Sequence, residues 1–154
     1  MGVRTVILPD FLLIGANKSG TSTIFAHLKA HPRARMCQVK EPMFFTSLPD
    51  PANAAPNPDE ASLGRPFFAT TLEAYSDLFP RDEAEGCLYG EASTSYLACS
   101  SIAAPLIRKL VPNVRLCAVL REPAERAFSA YRMFRGKGFE TRPFSEIVEG
   151  PPPR

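Results

Sequence analysis

The segment that decides the fold reads D-F-L-L-I-G from Asp10 to Gly15 and continues as A-N-K-S-G-T-S from Ala16 to Ser22. The first part is a short, continuous apolar run, which is typical of a strand buried on both faces. Apolar residues then recur at helical spacing, at Ile24, Phe25 and Leu28. The pair His31-Pro32 predicts the end of this helix, because the residue before a proline is pushed out of the helical region. The sequence therefore predicts a strand, a glycine-rich turn and a helix in succession.

A second segment of the same kind lies further along the chain. Val114 to Leu120 is strongly apolar and predicts another strand, in which Cys117 is a small buried hydrophobe. Pro123 suits the first turn of a following helix that runs to about Arg135. The predicted buried side of this helix consists of Ala127, Phe128, Tyr131 and Phe134.

Shorter elements are predicted between these two segments. Thr70 and Glu73 have capping-box spacing, which predicts a short helix up to Pro80. A strand over 87–89 and a helix that begins at Ser100 or Ser101 follow. Residues 47–66 read as a Pro-rich loop, and residues 136–154 as an irregular tail. The alternation of strands and helices predicts an α/β fold, a parallel sheet flanked by helices with its ligand at the carboxyl ends of the strands.

The composition limits the classes of function. The chain has 154 residues, 45% of them hydrophobic, which is enough for one domain with one core and excludes a largely disordered protein. Its 18 Lys and Arg against 16 Asp and Glu give a net charge of +2, which argues against a nucleic-acid partner and favours a small anionic ligand. The 4 cysteines form no C-x-x-C pair, so neither a metal site nor a disulfide scaffold is predicted. Without a membrane span or a cleavable signal, we expect a cytoplasmic location.

The turn from Gly15 to Ser22 has the composition of an anion cradle. Glycines let backbone N–H groups converge, the helix N-terminus adds partial positive charge, and Lys18 adds a full charge. It is not a Walker A loop, because the lysine precedes the second glycine and none stands before Thr21. The alternative interpretation is a Gly- and Ser-rich turn with a solvated lysine.

Arg121 follows the second predicted strand and is suited to bind a phosphate with its guanidinium group. The alternative is a helix turn stabilised by acidic residues, in which Arg126 and Ser129 are simply solvated.

Together, several segments resemble the ordered motifs of the sulfotransferases that use 3'-phosphoadenosine 5'-phosphosulfate (PAPS). They are I-G-A-N-K-S-G-T-S-T, H-P, V-K-E-P-M-F-F, Y-G-E-A-S-T-S-Y-L and V-L-R-E-P-A-E-R-A-F-S-A-Y, which occur in the family's order from about Phe11 to Tyr131. The resemblance implies a P-loop-like α/β fold and transfer of a sulfuryl group from PAPS to a hydroxyl or amine of a small-molecule or glycan acceptor. PAP, 3'-phosphoadenosine 5'-phosphate, would be the other product, and no metal is implied.

The resemblance also implies roles for individual residues. The residues that would hold the 5'-phosphosulfate are Lys18, Ser19, Gly20, Thr21 and Ser22, and those that would hold the 3'-phosphate are Arg121 and Ser129. Lys18 would also stabilise charge on the leaving phosphate oxygen. Glu41 would be the general base, Lys40 would help to bind the donor, and Phe44 and Phe45 would wall the pocket. The alternative for Glu41 is an exposed charge beside Pro42 or a simple partner of Lys40.

The chain departs from the family pattern at two places. Ala92 follows Glu91 where several glycan sulfotransferases have a lysine, which leaves the acceptor open. After Gly150-Pro151-Pro152-Pro153-Arg154 there is no basic, glycine-containing loop of the kind that closes over the adenosine in relatives. We therefore expect one truncated sulfotransferase-like domain over residues 1–154, with a missing segment or a partner completing the site. Two other functions stay open: a non-catalytic nucleotide-binding or interaction module derived from this fold, and, less favoured, a P-loop phosphotransferase.

Overall fold

The computed structural model describes residues 5–47, 69–81 and 86–150. The chain forms two compact units, Met1–Val119 and Leu120–Arg154. The first unit contains a four-stranded parallel sheet in the order β2-β3-β1-β4. Its strands are β1 (Phe11–Gly15), β2 (Ala34–Met36), β3 (Leu88–Ala92) and β4 (Arg115–Ala118). The sequence prediction of a parallel α/β sheet flanked by helices is confirmed.

The described helices connect these strands or follow them. In the first unit they are α1 (Thr21–Ala30), α2 (Phe44–Ser47), α3 (Leu72–Ser76), α4 (Ser95–Ala98) and α5 (Ser100–Leu110). The second unit contains α6 (Pro123–Gly136) and α7 (Phe144–Glu149). The predicted succession of strand, glycine turn and helix is therefore present as β1, the turn and α1, and α1 ends directly before His31-Pro32.

Both faces of β1 are covered, as its unbroken apolar sequence predicts. Alternate residues of a strand point to opposite faces. Leu12 lies in a core cluster with residues of α2, α3 and α5, whereas Leu13 lies in a second cluster with Phe25 of α1. The strand that carries the glycine turn is thus held from both sides of the sheet.

The larger cluster is rich in aromatic rings. Phe44 stacks on Tyr75 with ring centroids 4.1 Å apart, and Phe45 packs edge-on against both Tyr75 and Tyr96. Phe44 and Phe45 are 1% and 0% exposed. The expectation that these two phenylalanines wall an open pocket is wrong, because they fill the core and anchor α2 there.

Several local predictions are corrected by the structure. All four residues of β4 are exposed, including Cys117 and Leu116, which is 56% exposed. The strand lies at the edge of the described sheet, which the apolar sequence alone does not reveal. In α6 no residue is buried, and Phe128 of the predicted buried side is 46% exposed.

The helix starts also differ in detail from the predictions. The side chain of Thr71, one residue after the predicted Thr70, caps α3 by accepting a hydrogen bond from the Ala74 N–H. Ser100 is the first residue of α5 rather than its cap. Helix α7 lies within the predicted irregular tail 136–154. All but the first residue of the predicted Pro-rich loop 47–66 lies outside the described residues.

Candidate functional site

The glycine turn begins where β1 ends and is fastened to the chain after β4. The Ala16 N–H donates to the Val119 carbonyl at 2.8 Å, and the Val119 N–H donates to the Gly15 carbonyl at 2.7 Å. Gly15 has φ +153°, and a Cβ added there would lie 2.9 Å from the Leu97 Cβ. That distance is shorter than side-chain atoms tolerate, so the close approach of this turn to α4 requires glycine.

The turn is followed by α1, and no side chain caps the N-terminus of this helix. Lys18 and Gly20 adopt left-handed conformations, with φ +66° and +90°. Gly20 is the N-cap residue. The first N–H groups of a helix have no intrahelical partners, and together with the helix dipole they attract an anion. Thr21 and Ser22 are the first two residues of this helix.

An unpartnered hydroxyl lies directly before this helix. Ser19 is 9% exposed, and its Oγ makes no hydrogen bond with any described residue. A buried polar atom without a partner is unfavourable and unusual. An oxygen of a bound phosphate or sulfate group would accept its hydrogen bond. Lys18, half-buried beside it, makes no ion pair with any residue in 5–47, 69–81 or 86–150. The turn therefore fits a phosphate-bearing ligand.

Glu41 is held at the neighbouring strand end. Its N–H donates at 2.9 Å to the carbonyl of Ala92, the last residue of β3. Its Oε2 accepts from the Thr94 N–H at 2.7 Å, and the Thr94 hydroxyl also donates to this carboxylate. Lys40 donates to Oε1 at 2.6 Å. The side chain of Glu41 is 13% exposed, so it is not a solvated surface charge, but it does pair with Lys40 as one alternative predicted.

The glycine turn and the residues that hold the Glu41 carboxylate lie at the same edge of the sheet. Leu13 of β1 is paired in parallel register with Ala92 of β3. Beyond this pair, the Thr94 carbonyl lies 3.5 Å from the Cβ position of Gly15. The residue that binds the Glu41 carboxylate thus adjoins the start of the anion cradle. The structure brings these two predicted groups together at the carboxyl ends of β1 and β3.

A buried carboxylate, Glu91, lies behind this edge. It is 0% exposed and accepts hydrogen bonds from three hydroxyl groups, those of Tyr75, Ser93 and Tyr96. Burial raises the pKa of Glu91 to about 7, the three hydrogen bonds counteract this increase, and the nearby Glu41 adds to it. In the sequence, Glu91 belongs to the motif Y-G-E-A-S-T-S-Y-L, one of those that carry the family resemblance.

The sequence did not predict that Thr94 and the neighbouring residues with hydroxyl groups contribute to the site. The signal that points to them is the run S-T-S-Y directly after a strand, from Ser93 to Tyr96. Hydroxyl groups at the end of a parallel strand lie where ligands bind, and here they hold the Glu41 segment.

Arg121 and Ser129 lie in the second unit. The Arg121 Nε donates to the Glu125 Oε2 at 3.0 Å, and both side chains are exposed. Glu122 caps α6 by accepting from the Glu125 N–H at 2.7 Å. This is the turn stabilised by acidic residues that the alternative interpretation predicts. Ser129 lies within α6 and is half-buried.

Two further properties concern only the described part of the chain. Within it, no three His, Cys, Asp or Glu side chains are grouped so that they could hold a metal ion. No described helix has the length and apolar character needed to cross a membrane.

Comparison with known proteins gives a consistent result. The chain is similar to a sulfotransferase from Alicyclobacillus acidocaldarius of known crystal structure, with a TM-score of 0.72, 32% identity, and coverage of 94% of this chain and 57% of that one. It is 30% identical to the membrane-associated sulfotransferase kil1 of Dictyostelium discoideum over 83% of this chain and 23% of the relative.

Two human proteins show the same relationship. Carbohydrate sulfotransferase 15 is 26% identical over 94% of this chain and 30% of its own length. The bifunctional heparan sulfate N-deacetylase/N-sulfotransferase 2 is 28% identical over 85% of this chain and 13% of its own length. The chain thus spans less than a third of these curated relatives. No model of a known protein family matches it.

Proposed function

Because this chain is homologous to the sulfotransferase family over most of its length, we propose that it catalyses the transfer of a sulfuryl group from PAPS. The acceptor is a hydroxyl or amine of a small molecule or glycan. The observation that carries this proposal is the meeting of an anion cradle and a fixed carboxylate at one sheet edge, through Gly15 and Thr94. A group-transfer enzyme needs both, one to hold the donor and one to take a proton from the acceptor.

The glycine turn would hold the 5'-phosphosulfate of the donor. The Ser19 hydroxyl and the Lys18 ammonium, which have no partner among the described residues, and the open N-terminus of α1 at Thr21 and Ser22 all favour oxygens of an anion. Gly20 leaves space, because a Cβ there would meet no atom within 4 Å. The donor supplies the sulfuryl group, and Lys18 stabilises negative charge at the phosphate side of the bond that breaks.

Glu41 would remove the acceptor's proton. Its two hydrogen bonds from Thr94 leave lone pairs on both carboxylate oxygens, and Lys40 occupies one of those on Oε1. A hydroxyl or amine that approaches the cradle can therefore donate to a carboxylate whose orientation is already fixed. Lys40 contributes positive charge beside the same carboxylate and is proposed to help to bind the donor.

The 3'-phosphate of the donor is assigned to Arg121 and Ser129. Arg121 is exposed, and among the described residues it pairs only with Glu125, through Nε. Its two other guanidinium nitrogens therefore have no described partner and can bind an anion. Exposed ion pairs contribute little to stability, and a phosphate can therefore compete for this guanidinium.

Additional polypeptide, from the same protein or from a partner, is proposed to complete the site. The solved relative has a chain of which this one matches 57%. Parallel strands are ordinarily covered on both faces, yet β4 is exposed at all four residues. The names of two relatives include carbohydrate and heparan sulfate, which favours a glycan acceptor. A cytoplasmic location stays a prediction, which cell fractionation would test.

The test is a calorimetric titration of the 154-residue chain with PAP, with ATP as the competing nucleotide. We expect PAP to bind selectively and Lys18→Ala to weaken binding roughly 10- to 100-fold, the range for lost hydrogen bonds to a charged group. Lys109→Ala, which changes an exposed lysine in the last turn of α5, is the matched control and should bind like the parent.

The outcomes separate the candidate functions. PAP binding together with sulfuryl transfer from PAPS to a glycan or small-molecule acceptor supports the enzyme. Binding without transfer supports a non-catalytic nucleotide-binding module, which the pairing of Glu41 with Lys40 favours as second candidate. Preference for ATP would instead indicate a phosphotransferase. A folded chain that binds neither nucleotide contradicts a donor site formed by these residues alone.

A further inference from the structure

Glu91 is a fully buried carboxylate. Its Oε2 accepts from the Tyr75 hydroxyl at 2.5 Å and from the Tyr96 hydroxyl at 3.0 Å, and its Oε1 accepts from the Ser93 hydroxyl at 2.5 Å. No cation among the described residues pairs with it. Burying an unpaired carboxylate is unfavourable for stability. Its presence calls for another explanation.

Two of its three donors are relays to the segment that carries Glu41. The Met43 N–H donates to the Ser93 Oγ at 3.0 Å, and the Phe45 N–H donates to the Tyr96 hydroxyl at 3.3 Å. A hydroxyl that accepts a hydrogen bond from an N–H can at the same time donate its own hydrogen bond to another acceptor. In both relays that acceptor is Glu91, so the two chains of hydrogen bonds converge on one carboxylate.

The segment held by these relays has a backbone that needs support. Glu41 and Met43 have φ values of +62° and +54°, which are disfavoured for residues with a side chain unless the surroundings impose them. We propose that Glu91 is a positioning residue that, through Ser93 and Tyr96, fixes the backbone from Glu41 to Phe45. The Glu41 carboxylate is thereby presented at the glycine turn. The catalytic meaning of this role rests on the proposed function, whereas the positioning itself does not.

The protonation of Glu91 should affect this segment. The titratable groups that face it are Tyr75 of α3, Tyr96 of α4, Cys37 after β2 and Glu41 before α2. The pKa of Glu91 is raised by burial to about 7. A protonated Glu91 must itself donate from one oxygen, so one of the three hydroxyl groups loses its acceptor. The order of the segment should therefore decrease as the pH falls below 7.

The first experiment measures amide hydrogen exchange by NMR in the nucleotide-free chain between pH 6 and 8, corrected for the intrinsic exchange rate. We expect the protection of the Met43 and Phe45 amides to fall with pH in the parent protein and to be low and independent of pH in Glu91→Gln. The Leu88 amide, which donates to the Arg33 carbonyl at 2.9 Å at the other end of β3, is the internal reference. Constant protection of Met43 and Phe45 in both proteins would overturn the proposal.

A matched pair of variants keeps the test valid if Glu91→Gln does not fold. Tyr96→Phe and Tyr75→Phe each remove one buried hydroxyl from the same oxygen of Glu91. Of these two hydroxyls, only that of Tyr96 also accepts a hydrogen bond from the backbone N–H of a described residue. Tyr96→Phe should lower Phe45 protection roughly tenfold or more, and Tyr75→Phe should change it less than about threefold. Equal losses in the two variants would contradict a specific relay.

Kinetics then separate this proposal from the proposed function. Tyr96→Phe should lower kcat roughly 10- to 100-fold, the effect of a misplaced catalytic group, with the Kd for PAP within about threefold of the parent. An unchanged kcat despite faster Phe45 exchange would overturn a catalytic role for this positioning. If the parent chain transfers no sulfuryl group to any acceptor, the proposed function fails, and the exchange data alone decide whether Glu91 positions the segment.

Discussion

The pairing of β1 with β3 can be tested with a single methyl group. In the register of these strands Phe11 lies opposite Gly90. A Cβ added to Gly90 would lie 2.1 Å from the Phe11 Cζ, and 2.5 and 2.7 Å from two further ring atoms. Carbon atoms in contact are ordinarily at least about 3.5 Å apart, so the ring would have to withdraw by about 1.4 Å. Gly90→Ala should therefore destabilise the protein by overpacking, by about 1–3 kcal/mol.

The assay is urea unfolding at pH 7, followed by circular dichroism. Gly90→Ala is measured alone and together with Phe11→Leu, which removes the atoms that clash. The double-mutant cycle should give a favourable coupling of about 1–2 kcal/mol between the two substitutions. Gly136→Ala is the matched control, because a Cβ at this helical glycine meets nothing within 4 Å. It should be neutral or stabilising by up to about 1 kcal/mol.

Two results would refute this reasoning about the register. If Gly90→Ala changed the free energy of unfolding by less than about 0.5 kcal/mol, as exposed substitutions do, the ring could not lie over Gly90. If the destabilisation were the same with and without Phe11→Leu, its cause would not be the Phe11 ring. Either result would also remove the basis for placing the glycine turn beside Thr94, because both follow from the same strand pair.

Two other predictions concern the carboxylates. Glu41→Gln should lower kcat by roughly 100-fold or more, since a general base contributes about that much, while the Kd for PAP stays within about threefold; equal losses in kcat and affinity would indicate a binding role instead. The pKa of Glu91 is about 7 in the folded protein, compared with an ordinary value of 4.5. Between these pH values the folded state binds more protons than the unfolded state, so the free energy of unfolding must fall as the pH rises from 4.5 to 7. At 1.36 kcal/mol per pKa unit, the free energy of unfolding should drop by roughly 3 kcal/mol from pH 4.5 to 7 relative to Glu91→Gln, and parallel urea-unfolding profiles for the two proteins would contradict the raised pKa.

The sequence was sufficient to predict those elements that are determined by interactions between residues close together in the chain. The apolar run of β1 and the His31-Pro32 stop predicted their elements well, because burial on both faces and proline geometry act within a few residues. The exposure of β4 could not be predicted, since Leu116 and Cys117 belong to an apolar run that reads like a buried strand. Exposure depends on what lies beside a strand in the sheet, and periodicity carries no information about that.

In the candidate site, too, features that depend on neighbouring residues could be predicted from the sequence, and contacts between distant residues could not. The glycine turn could be predicted because its glycines and lysine are adjacent in sequence, and the phosphate-binding properties of such a turn are local. The bond from the Thr94 N–H to Glu41 spans 53 residues, and only the pairing of β1 with β3 brings its partners to the glycine turn. The relay from Tyr96 to Phe45 spans 51 residues. These contacts are products of topology.

The unfavourable features of the described chain are concentrated around this one sheet edge. Lys18, Glu41 and Met43 are non-glycine residues with positive φ, the Ser19 hydroxyl lacks a partner, and Glu91 is buried without a cation. Each of these features is unfavourable for the stability of the folded chain. Functional sites are where local rules are broken and the surroundings compensate. Because Glu91 bonds through Ser93 to Met43, the buried carboxylate supports the backbone of a residue with positive φ, and two of these features are linked.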